Sequence, residues 1–114
     1  NPISLAGDTY NGWAFNLADT KGKAVGVEIG TPGVSSPGLE TYLPMPSAEM
    51  ASLLLESSPE LATVDTAQRG WTEMTLTPDA MTSQWRFVSS VASPTYATTT
   101  GPLMQCRAGA RKLS

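Results

Sequence analysis

Acidic and amide side chains are the candidates for chemistry in this sequence, because it contains no histidine. A Ser-His-Asp triad, a Cys-His pair and a histidine-rich zinc site are therefore excluded within the chain. Glycine-rich phosphate motifs of the P-loop and dinucleotide-binding types are missing as well. Oxygen ligands remain, namely Asp8, Asn11, Asp19 and Glu28 together with assorted hydroxyl side chains. Ligands of this kind suit hard cations such as calcium.

Asp8 stands at the point where a short apolar run ends. Residues 3–6 predict a buried strand, and Gly7 then allows the chain to turn sharply. A carboxylate at the end of a strand is held rigidly at the edge of a sheet, where ligands and metals often bind. Two interpretations stay open here. Asp8 ligates a metal, or it caps its own turn by accepting hydrogen bonds from nearby backbone amides.

Strands dominate the predicted elements around Asp8. Alternating or apolar patterns predict strands at residues 3–6, 13–17 and 24–29. Gly26 interrupts one face of the third strand, which indicates that another segment approaches that face closely.

Residues 30–46 predict a long ordered loop, because they hold four prolines and three glycines. Loops of this length inside compact domains are usually functional. Ser47 is the predicted N-cap of a short helix that ends near Pro59. The helix is too short to be stable alone and must dock on the sheet. Its predicted apolar face consists of Met50, Leu53 and Leu54.

The clearest pattern lies at residues 71–88, where apolar and polar residues alternate on both sides of Pro78-Asp79. It predicts two antiparallel strands joined by a short connection. Residues 103–107 predict a last edge strand. The predicted shared buried face consists of Met74, Leu76, Trp85 and Phe87.

Composition favours one small packed domain of strands and turns, since 40% of the residues are hydrophobic and only 15% are charged. The net charge of −3 and the lack of a Lys or Arg cluster argue against binding to nucleic acid or an anionic membrane. No apolar run approaches the ~20 residues of a membrane span. The single cysteine, Cys106, cannot form an internal disulfide and is predicted to be buried. The start at Asn1, without a methionine, suggests a processed or excised piece.

Residues 5–13 are similar to the Gly-Asp-Thr-His-Asn-Ala-Trp signature of PhoD-like alkaline phosphatases. Four further segments resemble family motifs in the same order along the chain, so the order and spacing make the resemblance specific. They are Val25-Gly26-Val27-Glu28-Ile29, Ser35-Ser36-Pro37-Gly38-Leu39-Glu40, Arg69-Gly70-Trp71 and Gln84-Trp85-Arg86-Phe87-Val88. The five segments are spread over roughly Ile3 to Val91, which is most of the chain.

The resemblance implies a strand-dominated α+β fold, the C-terminal part of a metallophosphatase-type β-sandwich flanked by helices. It implies that residues 1–114 are the C-terminal portion of the catalytic domain of a secreted or periplasmic, metal-dependent phosphoester hydrolase. Calcium and iron are the implied cofactors, and the isolated chain is expected to bind neither. Its implied partners are the N-terminal portion of the same enzyme, which would supply the remaining ligands, and a phosphoester substrate.

The resemblance also implies roles for single residues. Asp8 becomes a metal ligand and Tyr10 a catalytic residue, although the family has histidine where Tyr10 stands. A phenol can still donate a hydrogen bond, and as phenolate it can ligate ferric iron; simple packing of Tyr10 under the loop is the alternative. The implied substrate-cleft residues are Asn11, Trp13, Ser35 and Ser36.

Three functions remain open at this level. The first is that the chain is a phosphatase segment that is inactive until it is joined to its N-terminal part. The second is that it is an independent β-rich module that binds partners through residues 31–46. The third is that it is an inactive phosphatase relative, marked by Tyr10.

Overall fold

The structure, a computed structural model, describes residues 2–114, which form two sheets and one α-helix. The first sheet has the strand order β1-β3-β2-β4, with β1 (Ile3–Ala6), β2 (Gly12–Ala18), β3 (Ala24–Gly30) and β4 (Leu61–Asp65). The second has the order β5-β6-β7, with β5 (Arg69–Leu76), β6 (Ala80–Val88) and β7 (Thr98–Arg107). Helix α1 (Ser47–Ser57) and a 3-10 turn at Leu39–Thr41 lie between β3 and β4.

Strand direction brings several chain segments to one edge of the first sheet. β1 pairs with β3 in parallel, with Ala6 opposite Gly30. β2 is antiparallel to β3, and Trp13 near its start also lies opposite Gly30. The chain therefore leaves β1, enters β2 and leaves β3 at the same edge.

The core lies between the two sheets, which pack as a sandwich. The first sheet contributes Ala14, Val27 and Ile29, and the second contributes Met81, Trp85, Phe87, Met104 and Cys106. Trp85 is 1% exposed. Its Nε1 donates a hydrogen bond to the Gly30 carbonyl across the sandwich, over 3.0 Å. The predicted strand-dominated α+β fold is confirmed.

Most of the predicted elements are found close to their predicted bounds. The strands predicted at residues 3–6, 13–17 and 24–29 correspond to β1, β2 and β3. The predicted antiparallel pair is β5 and β6. Gly26 is approached closely, since a Cβ there would lie 2.5 Å from the Pro2 carbonyl oxygen. Cys106 is buried, as predicted.

Several predictions of burial and of element ends were wrong. Leu76 is 67% exposed, because β5 continues beyond the edge of the core. β1 was predicted to be buried, but it is an edge strand and is only half-buried. Leu5 in this strand is exposed for the same reason. Leu53 points to solvent, and Met50 is the buried residue of α1. Ser47 is the first residue of α1 and not its N-cap, a position that Pro46 occupies.

Two strands extend the fold beyond the sequence prediction. β4 was not predicted, and β7 begins at Thr98 rather than at residue 103. Within residues 2–114, no helix is long and apolar enough to cross a membrane, since α1 has 11 residues.

Candidate functional site

Three segments meet at the edge where β1 and β3 end: residues 7–11, 31–38 and 66–70. The Thr31 amide donates to the Ala6 carbonyl over 3.0 Å, and the Gly33 amide donates to the Tyr10 carbonyl over 3.2 Å. On its other side, the Gly33 carbonyl accepts a hydrogen bond from the Gly70 amide, over 3.0 Å. The segment 31–38 is therefore held between the loop that follows β1 and the start of β5.

Asn11, which is 1% exposed, joins the loop after β1 to the 3-10 turn at Leu39–Thr41 through its side chain. Its Nδ2 donates to the Thr9 carbonyl over 2.7 Å, and its Oδ1 accepts from the Leu39 amide over 3.1 Å. A buried amide with both ends hydrogen-bonded fixes the loops it connects. Asn11 thus lies beneath the candidate site, where it positions the backbone.

Arg69, which is buried, and Glu40, which is half-buried, form an ion pair below the same loop. The Arg69 guanidinium also donates to the carbonyls of Tyr10 and Gln68, over 3.1 and 3.0 Å. Burial lowers the pKa of Arg69 from its ordinary value. Arginine nevertheless stays cationic at working pH, because its ordinary pKa is so high. The charge of Glu40 balances this buried cation.

Sequence reasoning assigned no site role to Arg69 or Glu40. Arg69 directly precedes Gly70, and Glu40 follows Gly38 by two positions, in a chain with few charged residues. This combination of a rare charge and a nearby glycine is the signal that could have identified them. The glycines matter structurally: a Cβ at Gly38 would lie 2.5 Å from Asn11 Oδ1 and 2.7 Å from Glu40 Oε2. The tight turn at Gly38 is what allows Glu40 to reach beneath the loop.

Asp8 and Tyr10 share an unusual backbone conformation, with φ values of +73° and +60°. Among the described residues, Arg111 is the other non-glycine with positive φ. The left-handed region is unfavourable for residues with a Cβ, and such strain concentrates at functional sites. Both side chains are exposed, Tyr10 by 42%. The loop thus presents a carboxylate and a phenol outward from a backbone that is held from below.

The other predicted cleft residues lie around this loop. Trp13 is half-buried, and its Nε1 donates to Thr9 Oγ1 over 2.7 Å. Ser35 is exposed and Ser36 is half-buried in the clamped segment. A Cβ at Gly33 would lie 2.7 Å from the Ser36 carbonyl oxygen and 3.0 Å from Tyr10 Cβ. The structure therefore brings the predicted residues to one edge of the sheet.

A complete metal centre is not formed by the described residues. Among residues 2–114, no three side chains of His, Cys, Asp or Glu converge to hold a metal ion. Cys106 lies in the core, and Asp8 is an exposed carboxylate at the rim. A calcium ion takes six to eight oxygen ligands, so Asp8 can supply one ligand but cannot hold the ion alone.

Comparison with known proteins places this chain in a family. The sequence model of the PhoD-like phosphatases matches residues 1–85. The chain belongs to the PhoD-like phosphatase family. A solved structure entitled "Structure of PhoD" is similar over 98% of this chain, with a TM-score of 0.74 and 20% identity, and it therefore shares the fold. The chain spans only 21% of that structure's chain. No curated protein matches it.

Proposed function

We propose that this chain forms one wall of the active site of a metal-dependent phosphoester hydrolase, an alkaline phosphatase D-like phosphomonoesterase or phosphodiesterase. The family match supports a phosphatase. One observation carries the placement of the site: a clamped loop presents Asp8 and Tyr10 on a left-handed backbone with their side chains exposed. The remaining ligands come from the N-terminal portion of the same enzyme, and the enzyme acts in the periplasm or outside the cell.

In this proposal Asp8 would supply one carboxylate ligand to a calcium and iron centre, and the N-terminal portion would supply the remaining ligands. Bound metal ions would stabilise negative charge on the phosphate. Tyr10, in the position of the family's histidine, donates a hydrogen bond from its phenol to a phosphate oxygen. Asn11 and Arg69 keep the loop in place before substrate binds, which is the preorganisation that such a site needs.

Replacement of Asp8 by asparagine tests the site. In the chain joined to its N-terminal portion, D8N should lower the turnover of p-nitrophenyl phosphate on the order of 100-fold and lower metal content in parallel, because one ligand is lost. The thermal transition should stay unchanged. The isolated chain should show no metal-dependent turnover, because it carries only one of the ligands.

Asp19 provides the matched control, because it is an exposed aspartate with a purely local role. Its Oδ1 accepts from the amides of Lys21 and Lys23, over 2.8 and 2.9 Å. D19N should therefore leave metal content and turnover unchanged. If D8N unfolds the protein but the folded fraction keeps its metal and turnover, Asp8 only caps its turn and the site assignment fails. A joined protein that binds metal without turnover would be an inactive relative.

A second candidate, a binding module, is favoured by the apolar side chains that residues 31–46 expose. They are Val34, Tyr42, Leu43 and Met45. Exposed apolar residues grouped in one loop often mark an interaction surface. Two results together would favour this second function. The isolated chain would be a folded monomer, and the protein joined to its N-terminal portion would be inert toward phosphoesters.

A further inference from the structure

We propose that a groove beside the candidate site binds the organic group of an aryl phosphoester, the planar ring that the ester links to phosphate. This proposal rests on the proposed phosphatase function and specifies its substrate class. The groove has a volume of about 290 Å³ and lies between the 31–38 segment, the start of β5 and the loop after β6. The side chains used in the argument are Val34, Ser35, Trp71, Val91 and Tyr96.

Buried Gly33 lies between the Asp8 loop and Gly70, a residue of the groove lining. Gly33 bonds the Tyr10 carbonyl on one side and the Gly70 amide on the other, as neighbouring strands do. Two strand spacings, about 10 Å, therefore separate the Tyr10 backbone from Gly70, which lines the groove. Ser35, a predicted cleft residue, lines it too. A phosphate beside Tyr10 and a ring in the groove can thus belong to one substrate molecule.

The lining favours a neutral ring over the phosphate itself. None of the lining residues is charged, and two of them, Trp71 and Tyr96, are exposed aromatics. Aromatic side chains gain from stacking with planar rings beyond the apolar area that they bury. Serine hydroxyls in the lining can bond polar substituents on such a ring.

Size argues for a small molecule as the occupant rather than for a protein. A cavity of roughly 150 Å³ accommodates benzene, so about 290 Å³ has room for a fused two-ring group. A stable protein interface buries about 800 Å² on each partner, which is far more than a groove of this size offers.

Binding of naphthol to the 114-residue chain tests the groove without any metal or turnover. Titration calorimetry should show saturable binding of naphthol, and W71A should weaken it about tenfold, the effect of losing one stacking partner. W71F, which keeps a ring, should stay within about twofold of the original. Y42A is the matched control, because Tyr42 is 69% exposed and lies outside the groove lining. Absent naphthol binding, or equal losses in W71A and Y42A, would overturn the proposal.

Kinetics of the joined enzyme provide the second arm. W71A should raise the KM for naphthyl phosphate about tenfold at unchanged kcat, since it removes binding shared by ground and transition states. The KM for glycerol phosphate should not change, because its organic group has no ring. An equal change in both KM values would overturn the groove assignment. If neither ester is turned over while naphthol still binds in a Trp71-dependent way, the phosphatase proposal fails and the groove remains an aryl-binding site.

Discussion

At the scale of single residues, the candidate site depends on contacts that no local sequence pattern contains. Asp8 could be located because it follows an apolar run and Gly7. The left-handed backbone of Asp8 and Tyr10 could not be predicted from the sequence, since neither residue type requires that conformation. Asn11 bonds a residue 28 positions away, and Arg69 bonds Tyr10 across 59 positions. Such long-range hydrogen bonds form only after the sheets assemble. Sequence reasoning therefore named Asn11 as a cleft residue without its supporting contacts, and it assigned no site role to Arg69 or Glu40.

The tight packing of Gly33 leads to a prediction at this scale. G33A places a methyl group 2.7 Å from the Ser36 carbonyl oxygen and 3.0 Å from Tyr10 Cβ. Relief of this overlap must move the backbone, because the Ser36 carbonyl oxygen is a backbone atom and cannot rotate away. We expect the free energy of unfolding to fall by about 1–3 kcal/mol, as in other overpacked sites. Urea denaturation of G33A and the original chain measures this change in the free energy of unfolding.

Gly7 is the matched control for Gly33, because it lies in the neighbouring segment and a Cβ there would meet nothing within 4 Å. G7A should be neutral or slightly stabilising, since alanine restricts the unfolded chain more than glycine does. Equal destabilisation by G33A and G7A would mean that the Tyr10–Gly33 contact does not determine the stability of the loop.

At the scale of elements, regular alternation was enough to predict most strands, but not where the core ends along them. β5 and β6 show the difference. Trp85 and Phe87 are buried because β6 is the central strand of its sheet, whereas Leu76 lies at the end of the edge strand β5. β4 was missed because Leu61-Ala62-Thr63-Val64-Asp65 is short and its register with β2 is irregular. Neither strand order nor the extent of the core is encoded in the pattern of one strand.

The β5–β6 pair carries a surface ion pair whose pH dependence can be predicted. Arg86 Nε donates to Glu73 Oε2 over 2.9 Å, and this hydrogen bond lowers the pKa of Glu73 from its ordinary value of 4.5. A lowered pKa in the folded state means that the stabilisation is present above pH 4.5 and is lost as the pH falls further. E73Q should therefore lower stability slightly at pH 7, with a difference from the original that disappears in acid.

Thermal unfolding at neutral and acidic pH, at low ionic strength, measures this difference. The effect should be small because the pair is exposed, and added salt should shrink it. E60Q is a suitable control, since Glu60 is exposed and forms no side-chain ion pair within residues 2–114. A destabilisation by E73Q that persists unchanged below the pKa of Glu73 would show that the loss has another origin.

At the scale of the whole molecule, Trp85 connects the fold to the candidate site. It belongs to the second sheet, yet its Nε1 bonds the Gly30 carbonyl at the end of β3. Its ring also lies against Gly12, where a Cβ would come within 3.0 Å of ring carbons. Gly12 directly follows Asn11, and Gly30 directly precedes the clamped segment. The contact between the sheets therefore fixes both strand ends from which the site loops emerge.

Substitution of Trp85 should accordingly affect stability and loop order together. W85A removes a large buried ring, so we expect a loss of about 3–5 kcal/mol in the free energy of unfolding. A domain of this size is stabilised by only about 5–15 kcal/mol, so the variant will be marginal. W85F keeps most of the apolar contact and loses the hydrogen bond to Gly30, which should cost about 1–2 kcal/mol.

W85F is the decisive variant, because it remains folded enough for hydrogen exchange to be measured. If Trp85 anchors the site, the amides of Thr31 and Gly33 should exchange faster in W85F, while those in the centre of β6 and β7 keep their order of protection. W71A serves as the control, because Trp71 is 37% exposed and makes no bond to the first sheet's strand ends in the described residues. It should lose little stability and leave those two amides protected. Uniformly faster exchange in W85F, without selectivity for the segment after β3, would show that Trp85 stabilises the sandwich as a whole but does not hold the candidate site in place.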